Sequence, residues 1–524
     1  MPKFRLSLMR YCLIWLGLMA GAMPLANAHE SHAQPQAVPS VPLPTAITDK
    51  MSRAGLSGHE MSVWIKPVGK VGETGEQIPL INHLADTPRT PASTQKLITT
   101  AIALDLLGAD YHWQTRLYAD GVVVGDTLYG NLIIKGSGDP SLTHDRLSAM
   151  FSQLTARGVR HIKGDIIVDN TGFVNVAQDV NAFDGQGLRA YNAQPNAFLI
   201  NFGTLEVSMI PSGTWVFGSG QTTGQDVTIG EPVPYFRPTD GTVAVQVLPK
   251  LADFHAPTMI QGDIQSCRTK PKFGLSADTL TITGQVGVSC GQASEWLTFA
   301  DSEAFITRAV KGTWQALDKD FVGQVRLRQP YDGAGRTLSP LLSFASKPLS
   351  EQVYQINQYS NNVMTEQVAL SLPLMMGQKT SDYPKSFALI NTWWQQHLTT
   401  PAPIMSRASG LCRDCVVAPR ALGELLAFSQ TKPTFETFKA SLPIVGQTGT
   451  MATFARRRPH SPAIGRAFIK TGRLNNVASI AGYVMGQSGK MYVVVAIINA
   501  DGAGNNTHAH DVLDEVIEWT AGQS

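Results

Sequence analysis

The sequence lacks any apolar run long enough to span a bilayer. The run nearest that length, Tyr11 to Met23, has about 13 residues, whereas a membrane-spanning helix needs about 20. It follows the basic residues Lys3, Arg5 and Arg10 and precedes a small-x-small cleavage site, Ala26-Asn27-Ala28. Residues 1–28 therefore predict a secretory signal peptide, with an uncleaved anchor as the alternative. We expect the chain to be exported, with no transmembrane anchor.

Neither basic nor acidic residues are in large excess. Lys and Arg total 42 and Asp and Glu total 40. The charged residues of the predicted leader are all basic, so its removal leaves the two totals nearly equal. The densest basic cluster, Arg456-Arg457-Arg458, is short, whereas a polyanion binder would need a basic stripe. We therefore expect no nucleic acid among the partners.

Cysteine is scarce, with five residues in the chain, and Cys12 would leave with the signal peptide. An even remainder in an exported protein indicates disulfides, of which four cysteines allow three pairings. Sequence proximity favours Cys267–Cys290 and Cys412–Cys415. The second pair is a Cys-x-x-Cys, which can also be redox-active or form half of a zinc site. No second Cys pair or close His cluster completes a tetrahedral set, so a loop disulfide is favoured and no metal is expected.

What the sequence does contain is three short motifs in a fixed order. They are Ser93-Thr94-Gln95-Lys96, Ser360-Asn361-Asn362 and Lys470-Thr471-Gly472. A Ser-x-x-Lys pattern arises by chance about once or twice in a chain of this length, and a Lys-Thr-Gly triplet in about one such chain in ten. The ordered trio is typical of penicillin-binding proteins and serine β-lactamases.

The residues after Pro91 predict a buried helix that presents the first motif. Apolar residues recur at helical spacing from Leu97 to Leu107, and Gly108 marks the end. Ser93 would lie in the first turn, and Lys96 would project from the same face one turn later, close enough to take the serine proton.

A second Ser-x-x-Lys, Ser429-Gln430-Thr431-Lys432, follows a helical run from Leu422 to Phe428 and precedes Pro433. This context predicts a helix end and a surface turn, so we assign it no catalytic role.

Near the C-terminus the pattern predicts three strands and a helix: Ala467 to Lys470, Ala478 to Met485, Met491 to Ala500, and about His508 to Trp519. Lys470 would end the first strand, and Thr471 and Gly472 would continue along a sheet edge. Glycine there would let a substrate backbone pair with the strand.

The residue types suit acyl transfer. A serine hydroxyl such as that of Ser93 needs a base, and Lys96 can serve if burial or a neighbouring cation, here Lys470, lowers its pKa. The backbone N–H groups of Ser93 and Arg473 would form the oxyanion hole.

The remaining motif residues have predicted roles in proton transfer and binding. Ser360 would relay a proton to the leaving amine, and Asn362 would hold either the substrate amide or Lys96. Lys470 and Thr471 would bind a terminal carboxylate.

Over nearly all of the predicted mature chain, the sequence resembles the D-alanyl-D-alanine carboxypeptidase/endopeptidase family of low-molecular-mass penicillin-binding proteins, which includes penicillin-binding protein 4. The segments that carry the resemblance are Arg89–Gly108, Gly136–Leu142, Gly164–Phe173, Lys347–Asn362, Ser409–Arg413 and Ile469–Val484. The resemblance implies an α+β fold: a transpeptidase/β-lactamase-like domain with an antiparallel sheet and flanking helices, interrupted by β-rich inserted accessory domains.

The implied organisation has a first part at 29–115, an insertion at 116–345 and a second part at 346–524. The length, 524 residues, independently predicts two or three domains. The Cys267/Cys290 pair resembles a disulfide of the family's insertion. The resemblance also implies a periplasmic location, peptidoglycan stem peptides and β-lactam antibiotics as partners, and no cofactor.

Local departures from the family pattern cluster around the expected pocket. The family usually has Ser or Thr where this chain has Arg473, which would alter substrate contacts while leaving its N–H available. Arg407-Ala408 and Cys412 flank Ser-Gly-Leu, where the family often has Asp-Gly and Ser. Tyr359-Ser360-Asn361 also fits the Tyr-x-Asn motif of another β-lactamase class, but the long insertion favours Ser360-Asn361-Asn362.

The leading hypothesis is a serine DD-peptidase that releases terminal D-Ala through an acyl-enzyme on Ser93. Cleavage of D-Ala cross-links is a second candidate activity. The alternatives are a β-lactamase or esterase of the same fold, and a non-catalytic peptidoglycan-binding or penicillin-sensing module. The Glu-x-x-Leu-Asn motif of the commonest β-lactamase class is absent from the sequence, and all three motifs are intact.

Overall fold

The computed structural model describes residues 40–69, 77–218, 233–327 and 339–524. The predicted signal peptide, residues 1–28, lies outside these ranges. Across the described residues, no helix combines the length and the apolar character that a bilayer crossing requires.

The secondary structure falls into three consecutive segments. The first contains α1 (Thr45–Arg53), β1 (Met61–Pro67), β2 (Ile81–His83), a 3₁₀ turn (Ala92–Gln95) and α2 (Lys96–Leu107). The second contains β3 (Gln114–Val124), β4 (Thr127–Lys135), α3 (His144–Ala156), β5 (His161–Ile162), β6 (Ile166–Asp169), β7 (Thr204–Gly218), β8 (Val233–Leu248), β9 (Met259–Asp263), β10 (Lys272–Leu275), β11 (Leu280–Thr283), β12 (Val286–Gly287), β13 (Ala293–Thr298), α4 (Ser302–Gln315), β14 (Val325–Leu327) and β15 (Leu342–Ala345). The third contains α5 (Leu349–Tyr359), α6 (Asn362–Met375), α7 (Tyr383–His397), α8 (Pro419–Gln430), α9 (Phe435–Ser441), α10 (Phe454–Arg457), β16 (Ala467–Leu474), β17 (Val477–Met485), β18 (Met491–Asn499) and α11 (Thr507–Ala521).

A five-stranded antiparallel sheet joins the first and third segments, in the order β16-β17-β18-β1-β2. Helices cover both faces. Met61 and Val63 of β1 share a core with α1 and α11, whereas Trp64 points to the opposite face and meets α8 at Gly423. Strands β17 and β18 are buried along almost their whole length, which explains their continuous apolar runs. The sheet leaves β16 at one edge.

The second segment supplies the other sheets of the described chain, in the orders β14-β6-β4-β3-β15, β12-β9-β8-β7-β13 and β10-β11. Helices α3 and α4 pack beside them in a shared hydrophobic core that includes Leu132, Phe151 and Trp314. This arrangement confirms the predicted α+β class, a helix-flanked antiparallel sheet with β-rich elements inserted into it. The boundaries 29–115, 116–345 and 346–524 stay a prediction.

The C-terminal prediction is confirmed in its order of elements and wrong at one boundary. Three strands and a terminal helix follow one another as expected, but β16 continues four residues past Lys470, to Leu474. The reason is its ladder with β17, in which Gly472 pairs with Ser479 and Leu474 with Val477. Cross-strand pairing thus extends a strand whose sequence reads locally as a turn.

The second Ser-x-x-Lys lies, as predicted, at a helix end. Ser429 occupies the last turn of α8, and its hydroxyl donates to the Leu425 carbonyl at 2.8 Å. Lys432 follows the helix and forms an ion pair of 2.9 Å with Asp105.

Candidate active site

The nucleophile candidate sits in the short 3₁₀ turn that precedes α2. Lys96, the first residue of α2, is completely buried, and its Nζ lies 2.8 Å from Ser93 Oγ. The same Nζ donates to the Ser409 carbonyl oxygen at 2.6 Å. The predicted serine–lysine pair is therefore within hydrogen-bond distance, and the lysine is oriented by a loop that lies far away in sequence.

The electrostatic environment favours a neutral Lys96. Burial lowers the pKa of Lys96 well below its ordinary value, the positive charge of Lys470 lowers it further, and Glu366 opposes both. Burial also lowers the pKa of Lys470, to about 7. A neutral Lys96 amine has a lone pair with which it can take the Ser93 proton.

The second motif forms the junction between α5 and α6. Ser360 adopts a left-handed conformation (φ 59°) that ends α5, and Asn361 caps α6 by accepting a hydrogen bond from the Met364 N–H at 3.1 Å. The Ser360 hydroxyl accepts a hydrogen bond of 3.0 Å from Lys470 Nζ. The sharp turn therefore brings Ser360 to the third motif.

Asn362 contacts the second segment and lines a cavity. Its Nδ2 donates to the Tyr191 carbonyl at 3.0 Å, and the residue lines the cavity described below, where it is available to a substrate. The Lys96 amine is held by the Ser409 carbonyl, and whether Asn362 binds the substrate amide or Lys96 stays a prediction.

Lys470 lies inside β16 with no exposed surface. Besides Ser360, its Nζ contacts the Thr471 carbonyl oxygen at 2.9 Å. The Thr471 hydroxyl donates to Thr450 Oγ1 at 2.9 Å at a more exposed position. Lys470 thus links the second motif to the edge strand, and its role in carboxylate binding stays a prediction.

The packing around Gly472 gives a second reason for glycine at this position, and its role in pairing with a substrate backbone stays a prediction. A Cβ at this position would lie 2.3 Å from Ser479 Oγ, 2.7 Å from the Pro91 carbonyl oxygen and 2.9 Å from the Ser93 nitrogen. Real Cβ atoms do not approach backbone this closely. Glycine therefore lets the edge strand pack directly on the nucleophile turn, rather than serving only to admit a substrate backbone.

We expect Gly472→Ala to lower the rate of Ser93 acylation by about tenfold or more, because the methyl group must push β16 away from the turn. The second-order rate constant for acylation by benzylpenicillin measures this effect. Gly58→Ala is a matched control, since a Cβ there would meet nothing within 4 Å. Equal rates in the native chain and Gly472→Ala would contradict the packing argument.

A cavity of about 860 Å³ opens beside the first two motifs and the residue that follows the third. Its lining includes Ser93, Ser360, Asn362 and Arg473. The Arg473 guanidinium is exposed and donates from Nη2 to Asn505 Oδ1 at 2.6 Å, so its side chain forms part of the wall. Ser93 and Arg473 share this cavity, as an oxyanion hole made from their N–H groups would require, and that role stays a prediction.

Several residues of the cavity were missed from the sequence. Phe183, Asp184 and Tyr191 come from the second segment, and Arg413 comes from the loop after Ser409. No local motif marks Phe183, Asp184 or Tyr191, and Arg413 ended a segment of family resemblance without being given a role, because only the fold brings these loops to the Ser93 turn.

The loop that holds Lys96 lies between Ile404 and Val416, which pair with each other across its base. Gly410, in a left-handed conformation (φ 78°), approaches so closely that a Cβ would lie 2.0 Å from the Ala92 carbonyl oxygen. Cys412 and Cys415 form a disulfide within this loop. The departures from the family pattern at Arg407, Ala408 and Cys412 therefore lie in the loop whose Ser409 carbonyl holds Lys96.

Both disulfides that sequence proximity favoured are present, Cys267–Cys290 and Cys412–Cys415, with Cα atoms 5.2 Å and 5.6 Å apart. Cys412, Asp414 and Cys415 place potential ligand atoms within 4.8 Å of one another. A metal there would need free thiolates, and the disulfide already uses both sulfur atoms.

The comparisons with known proteins agree with this geometry. The sequence model of the D-Ala-D-Ala carboxypeptidase 3 (S13) family matches residues 46–227 and 259–522. The D-alanyl-D-alanine carboxypeptidase of Actinomadura sp. (strain R39) is 26% identical over 434 residues, which cover 79% of this chain and 74% of that protein. The carboxypeptidase DacB of Haemophilus influenzae is 23% identical over 429 residues, which cover 79% of this chain and 81% of that protein.

The crystal structure of penicillin binding protein 4 from Haemophilus influenzae superposes with a TM-score of 0.66 at 18% identity, covering 90% of this chain and 99% of that one. That protein has also been crystallised in complex with a β-lactam. The structural likeness supports the transpeptidase-like fold, and the family model spans most of the sequence. The chain belongs to the D-Ala-D-Ala carboxypeptidase S13 family.

Proposed function

We propose that this protein is a serine DD-peptidase that removes the terminal D-Ala from peptidoglycan stem peptides through an acyl-enzyme on Ser93. The observation that carries the proposal is the 2.8 Å approach of a fully buried Lys96 amine to Oγ of Ser93, which lines an open cavity. A buried lysine with a lowered pKa is a suitable base for a serine hydroxyl.

In the acylation step, Ser93 Oγ attacks the carbonyl carbon of the penultimate residue while its proton passes to Lys96 Nζ. The N–H groups of Ser93 and Arg473 stabilise the oxyanion. The bond to the terminal D-Ala nitrogen then breaks, and that nitrogen must gain a proton. Lys470 donates to Ser360 Oγ at 3.0 Å, so the Ser360 hydroxyl proton is free to point at the leaving amine.

In the second step, water attacks the acyl-Ser93 ester and releases the shortened peptide. The proton that Lys96 took from Ser93 replaces the one that Ser360 gave to the leaving amine, so Lys96 is neutral again. Its Nζ, 2.8 Å from Ser93 Oγ, can then act as the base that activates that water. A β-lactam follows the same first step, but its leaving nitrogen stays tethered to the acyl group by the rest of the ring system. We therefore infer that penicillin binds covalently and leaves slowly.

The part of the cavity lining that comes from outside the motifs carries two opposite charges, those of Asp184 and Arg413. The Arg413 guanidinium lies 4.9 Å from the Phe183 ring centroid and donates to the Phe183 carbonyl at 3.2 Å. Asp184 accepts hydrogen bonds from the Tyr191 hydroxyl at 2.6 Å and from Asn192 Nδ2 at 3.0 Å. Burial by itself raises the pKa of Asp184, but the hydrogen bonds outweigh it and lower the pKa, so the carboxylate is charged. A side chain with an ammonium and a carboxylate would complement this wall.

We expect Asp184→Asn to lower kcat/KM about tenfold or more on a stem pentapeptide whose diamino acid has a free amine, because a charge-assisted hydrogen bond is lost. Acylation by benzylpenicillin, which has no such amine, should change less than about twofold. The control is the same pentapeptide with the amine of its diamino acid acetylated, on which native and variant proteins should have equal kcat/KM. An equal loss on both peptides would count against this assignment.

The expected location follows from residues 1–28, which predict export. We propose that the mature protein acts in the periplasm, where its partners are peptidoglycan stem peptides and β-lactam antibiotics. The names of the relatives, which refer to carboxypeptidase activity, support this proposal.

Intact mass before and after exposure to benzylpenicillin tests the acyl-enzyme, and D-Ala release from a pentapeptide tests the peptidase. A stable adduct with D-Ala release is the expected result. Rapid penicillin turnover without D-Ala release would favour the β-lactamase or esterase alternative. An adduct without turnover of either substrate would favour a penicillin-sensing module. Purified cross-linked muropeptides then separate the activities, because only endopeptidase action converts dimers to monomers.

A further inference from the structure

Glu366 is a buried carboxylate that none of the three motifs contains. It lies in the second turn of α6, four residues after Asn362, and is 2% exposed. Carboxylates are rarely buried unless they are paired or hydrogen-bonded. Its surroundings therefore indicate what it does.

Both carboxylate oxygens of Glu366 accept backbone hydrogen bonds from the loop that holds Lys96. The Ala408 N–H donates to Oε2 at 3.0 Å, and the Ser409 N–H donates to Oε1 at 2.9 Å. Ala408 and Ser409 are themselves buried. Without this carboxylate, two buried N–H groups would lose their partners, which is unfavourable for this path of the loop.

Ser409 connects this carboxylate to the catalytic pair. Its N–H is held by Glu366, and its carbonyl oxygen accepts the 2.6 Å hydrogen bond from Lys96 Nζ. The Lys96 amine in turn lies 2.8 Å from Ser93 Oγ. A chain of contacts therefore runs from Glu366 through one residue of the loop to the nucleophile.

Glu366 also brings a negative charge to a region that holds two buried lysines. Lys96 faces it from α2 and is affected by its charge, and Lys470 acts on Lys96 from β16. From the remaining sides it faces the Tyr383 hydroxyl of α7 and the loop residue Arg407, which donates to that hydroxyl at 2.8 Å. The negative charge of Glu366 raises the pKa of Lys96, whereas burial and the charge of Lys470 lower it.

We propose that Glu366 is a positioning residue for acylation: it holds the loop N–H groups so that the Ser409 carbonyl orients Lys96 toward Ser93, and its charge acts on that lysine. The proposal rests on the acyl-enzyme function proposed above. It assigns Glu366 no contact with the substrate.

The test is the pH dependence of the second-order rate of acylation by benzylpenicillin, with Glu366→Gln and Glu366→Asp compared with the native protein. The native rate rises with pH as Lys96 loses its proton. Because the Glu366 charge raises the pKa of Lys96, its removal in Glu366→Gln lowers that pKa. The rising part of the plot of rate against pH, its acid limb, should therefore shift to lower pH by about one unit. The glutamine has one acceptor oxygen for two N–H groups, so the maximum rate should fall about 10- to 100-fold.

Glu366→Asp tests the effect of the carboxylate charge separately from that of the side-chain length. It keeps the charge, so its acid limb should stay near the native position, but the shorter side chain cannot hold both N–H groups and the maximum rate should fall. Asp514→Asn is the matched control, because it removes a carboxylate that is 4% exposed in α11 and bound to Arg457 at 3.0 Å. It should leave rate and profile unchanged.

An acid limb in Glu366→Gln that coincides with the native one would overturn the proposal, as would an equal shift in Asp514→Asn. The position of the limb does not depend on how much variant is folded, so partial unfolding cannot imitate the result. Failure of the native protein to form an adduct is a distinct outcome, which would refute the acyl-enzyme function itself.

Discussion

Ser93→Ala is expected to form no adduct with benzylpenicillin and to release D-Ala at least about 1,000-fold more slowly than the native protein. Removal of the hydroxyl leaves the substrate with no nucleophile, and the remaining binding groups cannot form an acyl-enzyme. Intact mass and D-Ala release measure the two effects.

Ser429→Ala is the control for this result. Ser429 occupies the same place in an identical Ser-x-x-Lys pattern, but its hydroxyl is used within α8, in a bond to the Leu425 carbonyl. This variant should acquire the native mass increase at the native rate. An adduct of equal extent on Ser93→Ala would show that another residue is the nucleophile.

Lys96→Met should lower the acylation rate by about 1,000-fold or more while leaving Ser93 in place. Methionine approximates the length of the lysine stem and suits a buried site, so it removes the base with little change in packing. The rate constant for acylation, followed over hours, measures the loss.

Lys432→Met provides the comparison for the lysine. Lys432 is partly exposed and paired with Asp105 at 2.9 Å, and surface pairs of this kind contribute little. Near-native acylation is expected. If Lys96→Met reacted at a comparable rate, a base other than Lys96 would have to activate Ser93.

Short-range features of this protein were predictable from sequence. Ser93 and Lys96 are three residues apart at the start of a helix, and that spacing alone brings them onto one face. The two disulfides that are present join the cysteine pairs that are closest in sequence. The order of the three C-terminal strands and the terminal helix was likewise predicted, and their apolar runs are buried.

The predictions were less accurate for residues whose conformation or contacts are determined by distant parts of the chain. The length of β16 was underestimated because its ladder with β17 holds residues that resemble a turn. The contacts that require glycine at Gly472 were not anticipated, since nothing local reveals that Pro91 and Ser93 lie against it. The hydrogen bond from Lys96 to the Ser409 carbonyl was not anticipated, because Ser409 is distant in sequence.

Sequence by itself determined the predicted chemistry: the order of the three motifs, the serine–lysine spacing and the fold class that they imply. Tertiary structure decided what surrounds that chemistry. The burial that lowers the pKa of Lys96, the carboxylate of Glu366 and the charged wall of Asp184 and Arg413 come from segments far apart in the chain. Helix geometry relates neighbours at a set spacing, whereas the environment of a buried amine depends on every element that packs against it.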